Sequence, residues 1–109
     1  VRDFQRRRET PSFGEVEVLF ETREAGLYLL HVEPGRSIPP HFHRIMRELE
    51  WLADGELLRD GVPIADFSPV SWEHERVHTY ENASKRRATL FCCDCPPFVA
   101  QDEVVVEPT

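Results

Sequence analysis

Hydrophobic and polar residues alternate in short bursts along this chain, and a period of two predicts strands. From Glu15 to Glu21, Val16, Val18 and Phe20 alternate with Glu15, Glu17 and Glu21, the pattern of a strand with one buried face. A polar turn at Arg23 to Gly26 leads into LYLLHV, and Pro34-Gly35 marks the next turn. SIPPHFH can be extended but not helical, because Pro39 and Pro40 lack amide donors. ELEWLAD and ELLRD follow, with Asp60-Gly61 as a tight-turn signal before VPIADF. VSWEH, VHTYEN and RATLFCCDC complete the series, which Pro96-Pro97 ends. Strands roughly every eight to twelve residues, without a helical period, predict an antiparallel sandwich or barrel. Only the segment through Arg8 suits a short helix or a loose arm. The expected organisation is an N-terminal arm over residues 1–13 and a single all-β domain over 14–109, with no repeat or linker.

Composition narrows the partners. A chain of 109 residues that is 40% apolar can build one core. Its net charge of −7 argues against nucleic acid, whose phosphates would repel it. Arg6, Arg7 and Arg8 read as a solvated or interchain face. No apolar run approaches the ~20 residues of a membrane helix. The opening VRDFQRRRET lacks the apolar core of a leader peptide, and the absent initiator Met implies trimming. A cytoplasmic protein is expected. Cys92, Cys93 and Cys95 are too close along a strand to pair with one another, and their odd number speaks against a disulfide framework. They read as small buried side chains, one of them free to face the pocket, rather than as a second metal or redox site.

The chemistry concentrates between Gly35 and Gly55. His41 and His43 are one residue apart, so on a strand both imidazoles share a face. Glu48 follows after enough chain to turn and return, and His78 lies further on in RVHTYEN. Three imidazoles and one carboxylate suit iron, nickel, manganese, copper or zinc. If Glu48 points inward, alternation brings in Glu50 and Leu52 and turns Leu49, Trp51 and Ala53 outward. If His78 points inward, so do His74, Arg76, Tyr80 and Asn82. Glu50 is then a second inward carboxylate acting as general base or acid, unless a bulge leaves it solvated. Tyr80 donates a proton or simply packs. His74 reads as a rim residue and His31 as the flank of a strand. Arg44, Arg47 and Arg76 either ring the mouth and bind a carboxylate or phosphate of a small ligand, or are ordinary solvated arginines.

These residues resemble a known family. Gly35, His41, His43, Glu48 and Gly55 meet every position of G-x5-H-x-H-x4-E-x6-G, the first motif of the cupins, and His78 with Asn82 matches the end of the second. The usual glycine, proline and glycine upstream of His78 are replaced by Phe67, Glu73 and Glu75. The resemblance covers roughly residues 14 to 103 and implies an antiparallel double-stranded β-helix, a jelly-roll barrel. It implies one divalent transition metal (Zn, Fe, Ni or Mn) held inside by His41, His43, Glu48 and His78. It also implies a homodimer formed through sheets, which the outward Leu49 and Trp51 would suit. The alternative is a monomer whose arm covers that face with Phe4 and Phe13.

Three functions are compatible with these residues. The first is a metal-dependent enzyme, an isomerase, lyase or hydrolase acting on a small polar metabolite, anionic if the arginines ring the mouth. Glu50 or Tyr80 would move the proton. The second is an Fe(II)-dependent dioxygenase. The third is a non-catalytic module that binds a metal or a small ligand. The polar set expected inside the barrel favours the first.

Overall fold

Turn-forming residues cut the chain into short strands. The computed structural model describes residues 7–72, 76–98 and 102–106, and over these it contains strands but no α-helix. In chain order these are β1 (Arg7–Glu9), β2 (Gly14–Glu21), β3 (Gly26–Val32), β4 (Ser37–His43), β5 (Arg47–Asp54) and β6 (Leu58–Arg59). After them come β7 (Val62–Pro63), β8 (Val70–Trp72), β9 (His78–Glu81), β10 (Ala88–Cys95) and β11 (Glu103–Val105). One sheet runs β1-β2-β3-β10-β5-β8 and the other β11-β4-β9-β6-β7. Every pairing is antiparallel, as the alternating pattern predicted.

The two sheets bury their apolar faces against each other. Phe13, Val18, Tyr28, Val32, Ile38, Leu52, Leu57, Tyr80, Ala88, Leu90 and Cys92 form this core. Each is removed from water at a gain of about 25 cal/mol per Å² of apolar surface. On β10 the alternation is strict: Leu90, Cys92 and Asp94 are buried, while Phe91 and Cys93 lie half-buried on the other face. There Phe91 stacks on Trp51 of β5 at 4.6 Å, beside the exposed Leu49. The arm differs from the expected helix or loose segment. Its residues 1–6 lie outside the described part, but Arg7–Glu9 add a strand to the sheet, with Arg7 opposite Val18.

A bulge determines which way the histidines point. Between β4 and β9, Ile38 pairs with Tyr80 and His41 with His78, so three steps on β4 match two on β9. Pro39 and Pro40 occupy this irregularity, where their missing amide hydrogens cost no ladder bond. The extra residue inverts the parity of the strand. Ile38 is therefore buried together with His41 and His43, which strict alternation would have placed on the opposite face.

Past the bulge, two loops are braced. Asn82 donates to the carbonyls of Val32 (2.8 Å) and Arg86 (2.7 Å), and its own oxygen accepts from the amide and hydroxyl of Ser84. The motif asparagine is thus a loop brace. His31 lies between Thr89 and Glu17 on the flank of β3, as expected.

Candidate metal centre

His41 and His43 at the end of β4, Glu48 at the start of β5 and His78 at the start of β9 converge in the interior. All four are buried, and their candidate ligand atoms lie within 4.8 Å of one another. That spacing is close to the ~4 Å spanned by two metal–ligand bonds of about 2.1 Å. Nε2 of His43 and Nε2 of His78 stand 3.1 and 3.3 Å from the same oxygen, Oε1 of Glu48. The Nδ1–H of His41 donates to the carbonyl of Pro39 (2.8 Å) and that of His78 to the carbonyl of Arg76 (3.0 Å). A carbonyl only accepts, so Nε2 is left as the ligand atom in both rings. This buried group could hold a metal ion, and the donor set matches the one read from the sequence.

Charge in the site is uneven. Burial lowers the pKa of His41, helped by the charge of His78, to about 4, which keeps that ring neutral and able to ligate. Burial also pushes the Glu48 carboxyl upward, but bonds and charges from His43 and His78 outweigh it, and Glu48 remains ionised. Glu50, two residues along the same face and only 2% exposed, takes the opposite course. Burial and the charge of Glu48 raise its pKa to about 7. The Tyr80 hydroxyl donates to Glu50 Oε1 at 3.0 Å and the Cys92 thiol to Oε2 at 3.2 Å, while His78 Nε2 lies 3.9 Å away. Behind Tyr80, Nε of Arg59 donates to its hydroxyl at 3.3 Å. Glu50 and Tyr80 therefore sit beside the candidate ligands, as the alternation indicated.

His41, His43, Glu48, Glu50 and Tyr80 line a cavity of about 330 Å³, large enough for a small metabolite. One wall is apolar, with Val16, Val18, Leu30 and Ile38, and Phe98 stands edge-on to His43 at 6.1 Å. Arg44, Arg47 and Arg76 are exposed, and none of the three lines this cavity. Arg7 does, from the strand that replaces the expected arm, and it is shared between Glu9 (3.3 Å) and Glu21 (3.1 Å). His74 lies outside the described residues. The cysteines are all free, with Cys92 buried, Cys93 intermediate and Cys95 exposed.

Two acidic residues escaped the sequence reading. Asp94 lines the cavity at 4% exposure. Its Oδ1 has no hydrogen-bond partner among the described residues. Burial, then Glu48 and Glu50, raise its pKa to about 9. Alternation from an inward Cys92 would have found it. Asp102 binds the turn between His43 and Glu48 through its side chain. No local pattern announces that contact.

No protein-family model matches this chain, and no curated protein does. Solved structures do. CapF, a capsular polysaccharide assembling protein from Staphylococcus aureus, aligns with a TM-score of 0.82 at 12% identity, over 97% of this chain and 35% of its own. The present chain thus spans about a third of CapF. A sugar phosphate isomerase from a cupin superfamily, from Silicibacter pomeroyi, aligns with a TM-score of 0.63 at 19% identity, over 74% of this chain and 58% of its own. Pac13, described as a unique nucleoside dehydratase, gives 0.70 at 17% identity, over 94% and 85%. The chain has the cupin fold, an antiparallel double-stranded β-helix, and among its described residues no helix is long and apolar enough to cross a membrane.

Proposed function

We propose that this protein is a metal-dependent enzyme, an isomerase, lyase or hydrolase, that acts on a small polar metabolite inside the barrel. The observation that carries this reading is Glu50: fully enclosed, beside the four candidate ligands, and raised toward neutrality. A ligand cage alone has no need of a second buried carboxyl, and burying one is costly. An acid or base, by contrast, works best with a pKa near the operating pH.

His41, His43, Glu48 and His78 would hold one divalent transition metal of the Zn, Fe, Ni or Mn type. When bound, such a cation supplies Lewis acidity at a substrate oxygen. The remaining work belongs to the chain's own side chains. Glu50 accepts or returns a proton at Oε1 or Oε2. Tyr80 and Cys92 keep its two oxygens oriented through their hydrogen bonds. The apolar wall excludes water from the transfer.

The cavity's lining also bears on the substrate. Glu9, Glu21, Glu48 and Glu103 line the cavity, and its one lining arginine, Arg7, is already paired with Glu9 and Glu21. A neutral, hydroxylated metabolite suits this wall better than a polyanion. The sugar phosphate isomerase and the nucleoside dehydratase among the structural neighbours support small polar substrates as a class. Three free thiols are compatible with the reducing cytoplasm. Leu49, Trp51 and Phe91 offer an apolar outer face for a homodimer.

The test is proton exchange. Metal-loaded protein incubated with a pooled small-metabolite extract in deuterated water should label or convert at least one metabolite, read by mass spectrometry. Glu50→Gln should keep its metal and lose the labelling. Labelling that persists in Glu50→Gln, or turnover that consumes oxygen, would overturn this reading, the latter in favour of an Fe(II)-dependent dioxygenase. A protein that binds metal but converts nothing would be a binding module.

A further inference from the structure

We infer that Asp102 is a positioning residue for the metal centre, fixing the turn between two ligands and holding a carboxylate against the outer ring nitrogen of His43, as its acceptor once the ring is metal-bound. The inference rests on the metal reading above. β4 ends on His43 and β5 begins at Arg47, one residue before Glu48, so residues 44–46 are the whole link between the two strands. The Asp102 side chain takes a hydrogen bond from each amide of that link. Oδ1 accepts from Ile45 (2.8 Å) and Arg44 (3.2 Å), and Oδ2 from Met46 (2.9 Å). Three backbone donors on one carboxylate make charge-assisted bonds, about twice as strong as neutral ones. The carboxylate is itself held in place, because Asp102 leads directly into β11, where Glu103 pairs with His43.

His43 supplies the second observation. It is 5% exposed, and its Nδ1 has no hydrogen-bond partner among the described residues. Asp102 Oδ2 lies 3.9 Å from that nitrogen. An imidazole that gives Nε2 to a metal carries its proton on Nδ1, where an acceptor fixes both tautomer and ring orientation. His41 and His78 already have backbone carbonyls in this role. For His43 the carboxylate that faces this nitrogen is the one that also sets the ligand-bearing turn, so a small closure of the 3.9 Å gap would let one side chain orient the ring and set its distance from Glu48.

The experiment measures metal affinity, with Zn(II) competed against a chromophoric chelator, for the wild type, Asp102→Asn, Asp102→Ala and Val104→Ala. Val104 lies next in β11 beyond Glu103, so its truncation loosens the strand without touching the carboxylate. Both Asp102 variants should bind Zn(II) about 10–100-fold more weakly, the usual cost of losing an outer-shell partner. Val104→Ala should match the wild type. In the Co(II)-loaded protein, the exchangeable ring proton of His43 should give a proton resonance in the wild type and disappear in Asp102→Asn. Asp102→Asn carries the test if Asp102→Ala does not fold. Unchanged affinity in the Asp102 variants, or an equal loss in Val104→Ala, overturns the inference and leaves the metal reading standing. A wild type that binds no Zn(II) sinks both.

Discussion

Glu48 and Glu50 occupy one face of one strand, two residues apart, and their carboxyl groups are driven in opposite directions. Glu48 meets two imidazoles and stays charged; Glu50 meets a hydroxyl, a thiol and the charge of Glu48, and tends to keep its proton. The difference predicts unequal mutants. Glu48→Gln and His43→Ala should lose metal, by more than the about 10–100-fold that an outer-shell change costs. Glu50→Gln should retain one metal per chain and lose turnover by about 10²–10⁴-fold, the usual contribution of a general acid or base. Elemental analysis and substrate conversion, measured on the same preparations, separate the two.

Asp94 predicts a pH dependence of stability. Its folded pKa of about 9 lies far above the roughly 3.9 of an unfolded Asp. Between those values the folded chain binds the extra proton, so stability falls as pH rises, by at most about 1.4 kcal/mol per pH unit. The group's full contribution is present below about pH 4. Thermal unfolding in chelator should therefore show a lower midpoint at pH 8 than at pH 5, and Asp94→Asn should flatten this difference. An equal slope in the mutant would mean that other groups carry it.

The two motif glycines should respond differently to alanine. Both have positive φ, +76° at Gly35 and +84° at Gly55. A Cβ at Gly35 would meet nothing within 4 Å, whereas at Gly55 it would come within 2.8 Å of the Ala88 Cα and 2.9 Å of the Arg87 carbonyl. Gly35→Ala should cost only the left-handed backbone term, about 1–2 kcal/mol. Gly55→Ala adds a backbone clash and should cost more. Denaturant midpoints measured in parallel give the comparison.

Trp51 lies on the outer face, stacked on Phe91 and near Leu49, which is 39% exposed. If this face joins two copies, Trp51→Glu should give a monomer in sedimentation equilibrium with its metal content intact. A wild type that sediments as a monomer at tens of micromolar would remove the dimer from consideration.

The sequence made much of this legible, and the exceptions have physical reasons. The alternation through Glu48, Glu50 and Leu52 held because β5 carries no bulge across those three residues. The same period on β10 would have revealed Asp94, had the one cysteine that faces the pocket been identified as Cys92. The shared face of His41 and His43 followed from spacing. Which face it was depended on the bulge at Pro39-Pro40, a feature of pairing rather than of composition. The arginines in and beside the His43–Glu48 link could be read as a rim or as solvated, whereas Arg7 and Glu9 of β1 line the cavity, and the pairing of β1 with β2 has no strong local signal. Asp102 was illegible for a related reason: its three partners are 56 to 58 residues away in the chain.

The pairing of β11 with β4 also dictates an order of assembly. The segment carrying both histidines is synthesised before its partner, so its outer edge stays open until residues 102–106 have emerged and docked against it. A growing polypeptide would therefore hold its paired imidazoles on an unfinished sheet until that segment has emerged.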